Sequence, residues 1–275
     1  MGDPVPEALM TADEQHTDDT SDPGSSGVPL VLLHAFPLSS TMWSAQVAAL
    51  SGRAQVVTPD QRGFGGSPLG GDEPSLDHAA DDVADVLDRL GLEHVVLGGL
   101  SMGGYVAMAF LRRHPGRVRA LVLADTKAGA DPDAAREKRL AMADRLERDG
   151  TPQALLDDVL PGLTGPTTAR GRPEVLAQVR DLVAKAPPAS AAWAQRAMAA
   201  RPDSLDTLRD VRVPALVVRG DEDGLASADD ATAMVDALPQ GRLVTLPGAG
   251  HLSNLEVPEA FSRAVADFLA APGTR

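Results

Sequence analysis

Short, unbroken runs of Val and Leu, each closed by turn-forming residues, are the feature of this sequence that leaves the fewest folds open. Three come in quick order: Pro29 to His34, Gln55 to Pro59 and Val95 to Gly99. A strand with one face in water alternates apolar and polar residues, whereas continuous apolar runs of this length read as strands buried on both faces, as in a parallel sheet. Between the second and third runs, Leu76, Ala80, Val83, Leu87 and Leu90 form one apolar stripe at helical spacing, with Gly91 placed to end it. Strand, helix and strand in that order make a βαβ crossover. The alternation continues with a helix after Ser101 carrying Tyr105, Met108 and Ala109 and closed by Pro115-Gly116, and then a strand from Val118 to Ala124. Much later come strands Ala215 to Arg219 and Leu243 to Leu246, and a last helix with Phe261, Val265, Phe268 and Leu269 on one face. The fold class implied is α/β, with a mostly parallel central sheet and helices on both faces.

Two stretches break this rhythm. From Thr11 to Gly27 nearly every residue is Asp, Glu, Ser, Thr, Pro, Gly or Gln, too polar to offset the entropy of ordering, so residues 1–27 are expected to form a disordered polar tail. Between Lys127 and about Pro202 the strand signal gives way to helical segments: Asp133 to Arg148, Pro152 to Leu160, Pro173 to Ala186 and Ala189 to Ala200. Pro161-Gly162, Gly165-Pro166, Gly171 and Pro187-Pro188 punctuate them, which fits short helices joined by loops. The expected organisation is a core in two parts, 28–129 and 203–275, with a helical cap inserted at 130–202.

Composition removes several function classes. With no cysteine, disulfides, thiolate metal sites and a Cys nucleophile are excluded, and nothing ties the fold to an oxidising compartment. The first residues carry neither a basic run nor a signal-length apolar stretch, and no later run could cross a bilayer, so a soluble cytoplasmic protein is expected. A formal charge of −14 opposes phosphate backbones and anionic membranes, and 3% aromatic residues leave few platforms for stacking bases. Neither nucleic acid nor membrane is an expected partner, and the charge reads as a solvated surface.

The chemistry concentrates at Gly99-Leu100-Ser101-Met102-Gly103, which follows a strand and opens a helix. In that context G-x-S-x-G is a nucleophile elbow: a tight turn exposes the serine hydroxyl, and glycines let the helix pack close to the strand. Serine is a weak nucleophile and needs a general base oriented by a carboxylate. Of the histidines, His16 lies in the polar tail, and His78, His94 and His114 stand at element boundaries where solvated side chains are ordinary. His251 closes the Gly-rich loop Pro247-Gly248-Ala249-Gly250-His251 directly after the last strand, beside where the elbow must be. For the carboxylate, Ala215 to Arg219 runs into Gly220-Asp221-Glu222-Asp223. Asp223 is the candidate, Asp221 and Glu222 reading as solvated turn residues, and Asp125 at the end of an earlier strand is its rival. The oxyanion of the intermediate needs two backbone N–H groups, assigned to Met102 and, in the loop His34-Ala35-Phe36-Pro37, to Phe36.

With these residues in place the chain resembles the α/β-hydrolase superfamily over residues 29 to 126 and 203 to 270. The motifs that carry the resemblance, in order, are His34-Ala35-Phe36-Pro37, Asp60-Gln61-Arg62-Gly63-Phe64-Gly65-Gly66-Ser67, the elbow, Gly220-Asp221-Glu222-Asp223 and Gly250-His251. The family pattern favours Asp223 over its neighbours, at a customary distance of 28 positions from His251. Gly99-Leu100-Ser101-Met102-Gly103-Gly104 is most similar to 3-oxoadipate enol-lactonases and related small carboxylesterases. The resemblance implies a serine hydrolase that cleaves a small ester or lactone through an acyl-enzyme. Two departures stand out. Ala35 occupies a position where the family has glycine, so its methyl is expected to restrict the backbone that aims Phe36 N–H. Residues 1 to 27 also lack the alternation of the family's opening β-hairpin, so a shorter sheet with an exposed or differently covered edge is expected.

Other chemistries fit less well. Relatives of this fold that open epoxides or displace halide carry aspartate at the elbow, and the single tyrosine, Tyr105, lies on the helix behind it rather than in the cap. No glycine run matches G-x-G-x-x-G, and no metal constellation is present, so no cofactor is expected. A C–C bond hydrolase or lyase with the same triad, and a ligand-binding or catalytically idle member, are the remaining alternatives. Oligomeric state is not readable, and neither is which of Met142, Leu146, Leu155, Leu160, Trp193 and Met198 would face a substrate.

Overall fold

The computed structural model describes residues 28–274; the polar tail and the missing hairpin signal lie outside the described residues. Six strands form one parallel sheet in the order β2-β1-β3-β4-β5-β6. They are β1 (Leu30–Leu33), β2 (Val56–Val57), β3 (Val95–Leu100), β4 (Val118–Ala124), β5 (Ala215–Gly220) and β6 (Gly241–Leu246). The chain runs outward from β1 to β2 and then crosses back to lay β3 on the other side of β1, so the loops leaving β1 and β3 part there, where open α/β sheets place their ligands.

The unbroken apolar runs mark the strands with helices on both sides: β1 and β3 are buried throughout, and in β4 only Arg119 reaches water. The run Gln55 to Pro59 yields less than its composition suggests. Only two residues pair, half-buried, at the sheet edge. At the opposite edge β6 starts two residues earlier than its apolar run and leaves Leu243 41% exposed.

Helices α1 (Ser44–Leu50), α2 (Leu76–Arg89) and α3 (Met102–Arg113) fill the first half of the core. Leu76, Ala80, Val83 and Leu87 of α2 are buried as their stripe requires. Gly91 (φ 66°) ends that helix with a Schellman pair, Leu92 N–H to Leu87 O (2.9 Å) and Gly91 N–H to Asp88 O (3.1 Å).

Between β4 and β5 lie α4 (Asp133–Asp149), α5 (Gln153–Asp158), α6 (Pro166–Gly171), α7 (Pro173–Ala184) and α8 (Pro188–Ala200), followed by α9 (Leu205–Arg209). The stretch read as loop punctuation around Gly165-Pro166 is itself a helix, α6, because proline at a first helical position has no N–H to leave unpaired. At the root of this insertion Arg201, after α8, grips Asp131, before α4, through two hydrogen bonds of 2.7 and 2.8 Å, with both side chains buried. The same guanidinium lies 4.1 Å over the ring of Tyr105 on α3, which fixes where the chain leaves and re-enters the core. The remaining helices are α10 (Ala228–Ala237), opened by a Ser227/Asp230 capping box, α11 (Ser253–Glu256) and α12 (Pro258–Ala270). Among the described residues no helix is long and apolar enough to cross a membrane.

The elbow depends on how closely α3 approaches β1 and β3. A Cβ on Gly103 would lie 2.1 Å from the Leu33 carbonyl oxygen, and one on Gly99 2.1 Å from the Gly103 carbonyl oxygen. Both contacts are to backbone, which cannot swing aside. Gly103→Ala is therefore expected to cost on the order of 1–3 kcal/mol or more from overpacking. Gly91→Ala has open space around it but a left-handed backbone, and should cost about 1 kcal/mol. Gly52→Ala meets neither obstacle. Urea unfolding of the three variants should rank them in that order, and an unaffected Gly103→Ala would contradict it.

Candidate active site

Ser101 stands between β3 and α3 with φ 53° and ψ −113°, a conformation that L-residues avoid and that costs on the order of 1–3 kcal/mol. Its surroundings enforce it. Ser101 N–H donates to Ala124 O on β4 (2.9 Å), its carbonyl accepts from Thr126 Oγ (2.8 Å), and α3 begins at once. The hydroxyl is left facing His251, whose Nε2 is 2.7 Å from Ser101 Oγ. On its far side the imidazole Nδ1 lies 3.0 and 2.9 Å from the two Asp223 carboxylate oxygens. A carboxylate only accepts, so Nδ1 carries the proton and Nε2 is free to accept from the serine.

Asp223 is itself held from behind, its Oδ1 accepting from the N–H groups of Leu225 (2.8 Å) and Ala226 (3.1 Å). Burial pushes its pKa up, but the hydrogen bond and charge of His251 and these two N–H groups outweigh burial and hold it below the ordinary value. For His251, burial pulls the pKa down. The hydrogen bond and charge of Asp223, with the charges of Asp125 and Glu256, reverse that and raise it above 6.5.

Asp125, the rival carboxylate, is 1% exposed and hydrogen-bonds to Gly220 and Ser253, not to the imidazole. Its Oδ1 accepts from Gly220 N–H (2.8 Å), at the start of the Asp223 turn, and its Oδ2 from the hydroxyl of Ser253, two residues past His251, and from Ser253 N–H (3.3 Å). One carboxylate thus ties the acid turn to the histidine loop. Burial, with Asp223 nearby, pushes its pKa to about 7. Of the turn acids expected to be solvated, Asp221 accepts from Gly248 N–H (2.7 Å) and Glu222 from Thr167 N–H (2.7 Å), so both bind loops. His78 and His114 are likewise engaged, with the Glu73 carbonyl and the Asp81 carboxylate.

Phe36 and Met102 each present a backbone N–H that donates to no acceptor among the described residues. The loop that carries Phe36 is braced by the Asp60 to Ser67 motif. Fully buried His34 has its pKa lowered to about 4 by desolvation, so it stays neutral, donating from Nδ1 to Ala35 O (3.0 Å) and accepting at Nε2 from Gln61 N–H (2.9 Å). Gln61 Nε2 donates to His34 O (2.6 Å), Asp60 accepts from Ser40 and Gly66 N–H, and the Phe64 ring meets both His34 and Phe36 edge-on. The restriction expected from the Ala35 methyl does not arise. Among the described non-glycine residues only Ser101 and Asp125 have positive φ, so Ala35 holds a backbone that alanine adopts freely. Among the described residues no three His, Cys, Asp or Glu side chains are grouped to hold a metal.

The alpha/beta hydrolase fold family matches residues 28–258. The chain belongs to the α/β-hydrolase fold family. An esterase of this fold from Thermogutta terrifontis, solved with malate bound, matches with a TM-score of 0.85 and 40% identity, covering 88% of this chain and 89% of that one. The enol-lactonase from Burkholderia xenovorans matches at 0.81 and 31% identity, covering 89% and 92%, in keeping with the enol-lactonase resemblance of the elbow. The 2-(acetamidomethylene)succinate hydrolase of Mesorhizobium japonicum is 30% identical over 253 residues, 90% of this chain and 89% of its own length.

In the sequence of this α/β-hydrolase neither Ser253 nor the bridging use of Asp125 shows in a motif, so both become visible only in the fold. The strain at Ser101 has a direct test. Ser101→Ala and Ser101→Gly both remove the hydroxyl, but only glycine tolerates φ 53° without cost. Ser101→Gly should be the more stable of the two by about 1 kcal/mol in urea unfolding; equal or reversed stabilities would show that no strain is stored there.

Proposed function

We propose that this α/β-hydrolase cleaves a small carboxylic ester or lactone by way of an acyl-enzyme on Ser101. The observation that carries the reading is the relay of short contacts from Ser101 Oγ through His251 to Asp223, at the ends of three different strands. In the proposed reaction His251 Nε2 takes the hydroxyl proton as Ser101 Oγ attacks the carbonyl carbon, and the imidazolium formed is stabilised by Asp223. The negative charge developing on the carbonyl oxygen is met by the N–H groups of Phe36 and Met102, the latter at the positive end of α3. His251 then returns the proton to the departing alkoxide; water, deprotonated by the same histidine, attacks the acyl carbon, and that proton passes to Ser101 Oγ as the acid leaves. In a lactone the alkoxide and acid belong to one molecule. The esterase, enol-lactonase and succinate-derivative hydrolase among the similar proteins support carbonyl substrates of small size.

The base must be neutral to accept a proton, and Asp223 raises the pKa of His251 above 6.5. The rate should therefore be full at alkaline pH and fall as pH drops through that raised value. With p-nitrophenyl acetate and butyrate, kcat/KM should show an acid limb centred above pH 6.5, and Ser101→Ala should abolish turnover. Asp223→Asn should lower kcat/KM on the order of 10⁴-fold, the scale of losing the triad acid. Asp125→Asn should lower it far less, because Asp125 makes no hydrogen bond to the imidazole. The opposite ranking would assign the acid to Asp125, and turnover equal to that of Ser101→Ala would sink the esterase reading.

A further inference from the structure

Five residues after His251 stands another buried carboxylate that the proposed chemistry does not use. Glu256, the last residue of α11, is 1% exposed. Its Oε1 accepts from the backbone N–H groups of Gly250 (2.9 Å) and Leu252 (3.2 Å), the residues on either side of His251. Its Oε2 accepts from Gly165 N–H (2.8 Å), the residue that precedes α6 in the helical insertion. A carboxylate removed from water is costly unless its oxygens are met by donors, and three backbone N–H groups meet these.

The same two segments touch throughout. Leu252 N–H donates to Leu163 O (3.1 Å), and the Arg172 guanidinium donates to the carbonyls of Gly248 (2.8 Å) and Glu256. Glu222, next to Asp223, receives the N–H and the hydroxyl of Thr167. Backbones meet without side chains between them, since a Cβ on Gly250 would lie 2.1 Å from Gly165 N. His251 sits on a loop between β6 and α11, so the direction of its imidazole follows from the backbone at positions 250 and 252. One oxygen of Glu256 holds both.

We propose that Glu256 is a positioning residue for His251: its carboxylate clamps the backbone on both sides of the imidazole and locks that loop to the 163–172 segment of the helical insertion. The proposal rests on the reading of His251 as the general base. It makes the placement of the base depend on docking of the insertion, because the Gly165 N–H and the histidine loop share one side chain. The charged groups facing His251 are Asp223 from the turn after β5, Asp125 from the end of β4 and Glu256 from α11, and all three raise its pKa.

The variants separate geometry from charge. Glu256→Gln keeps the size, but its one oxygen can serve only Gly250 and Leu252, leaving its amide facing Gly165 N–H. Glu256→Asp keeps the charge and draws it back by one methylene. Glu256→Ala removes both. The test is the second-order rate of inactivation of the full chain by a fluorophosphonate, measured against pH, with the labelled residue found by mass spectrometry and the melting temperature recorded. Wild type should label at Ser101. Glu256→Ala should label about a hundredfold more slowly, the scale of a base displaced by about an ångström. Glu256→Gln and Glu256→Asp should both be slowed, and only the acid limb of Glu256→Gln should move to lower pH. Folded variants that label at the wild-type rate with the wild-type pH limb, whatever their melting temperature, would overturn the proposal. If Glu256→Ala does not fold, Glu256→Gln decides the outcome by the same criteria. Failure of the wild type to label at Ser101 is a different result, which removes the nucleophile and with it the base that Glu256 is said to position.

Discussion

Ser101 holds a backbone conformation that an L-residue leaves unless everything around it forbids the change, and in this fold everything around it does. Gly103 brings α3 onto the Leu33 carbonyl, Gly99 brings β3 under the Gly103 carbonyl, and Ser101 N–H is committed to β4. Relaxing φ at Ser101 would need a helix or a strand to move. The hydroxyl therefore projects from a turn whose position is set by three strands, and the first N–H of α3, at Met102, opens next to it. Strain, proximity and an available donor are one arrangement seen from three sides.

The other groups reach Ser101 from loops, which have no such rigid frame and are instead fastened to one another by buried polar side chains. His34, Asp60 and Gln61 brace the Phe36 loop through hydrogen bonds. Asp125 joins the Asp223 turn to Ser253, just past His251, and Glu256 joins the two flanks of His251 to the helical insertion. Each is a carboxylate, imidazole or amide whose burial would be unfavourable alone and is offset by directed hydrogen bonds. Such ties fix distances within the site more sharply than apolar packing, because a hydrogen bond fails within a few tenths of an ångström.

Much of this was legible in the sequence. Continuous Val and Leu runs located β1, β3, β4 and β5 because parallel strands covered on both faces need apolar residues at every position. The elbow glycines identified the turn because close approach of backbones admits nothing larger. Ser101, His251 and Asp223 were named from strand ends, and the fold brings them into contact. What stayed hidden is what tertiary contact alone decides. The run Gln55 to Pro59 marks β2 but not how little of it pairs, which is Val56 and Val57 alone, and α6 begins at a proline that reads as a breaker. Glu256 and Ser253 look like ordinary residues of a short helix until the loops they grip are in place. Asp125 and Asp223 both follow strands, and only geometry says which of them meets the imidazole.

If Ser101 is the nucleophile, the oxygen of the carbonyl it attacks should be received by the N–H groups of Phe36 and Met102. A crystal structure of the protein inactivated by an alkyl phosphonate tests it most directly, since the phosphonate imitates the tetrahedral intermediate. Phosphorus should be bonded to Ser101 Oγ, one phosphoryl oxygen should lie within hydrogen-bonding distance of both N–H groups, and His251 Nε2 should stand beside the oxygen that takes the leaving group's place. An adduct on any other residue, or a phosphoryl oxygen turned away from Phe36 and Met102, would contradict it.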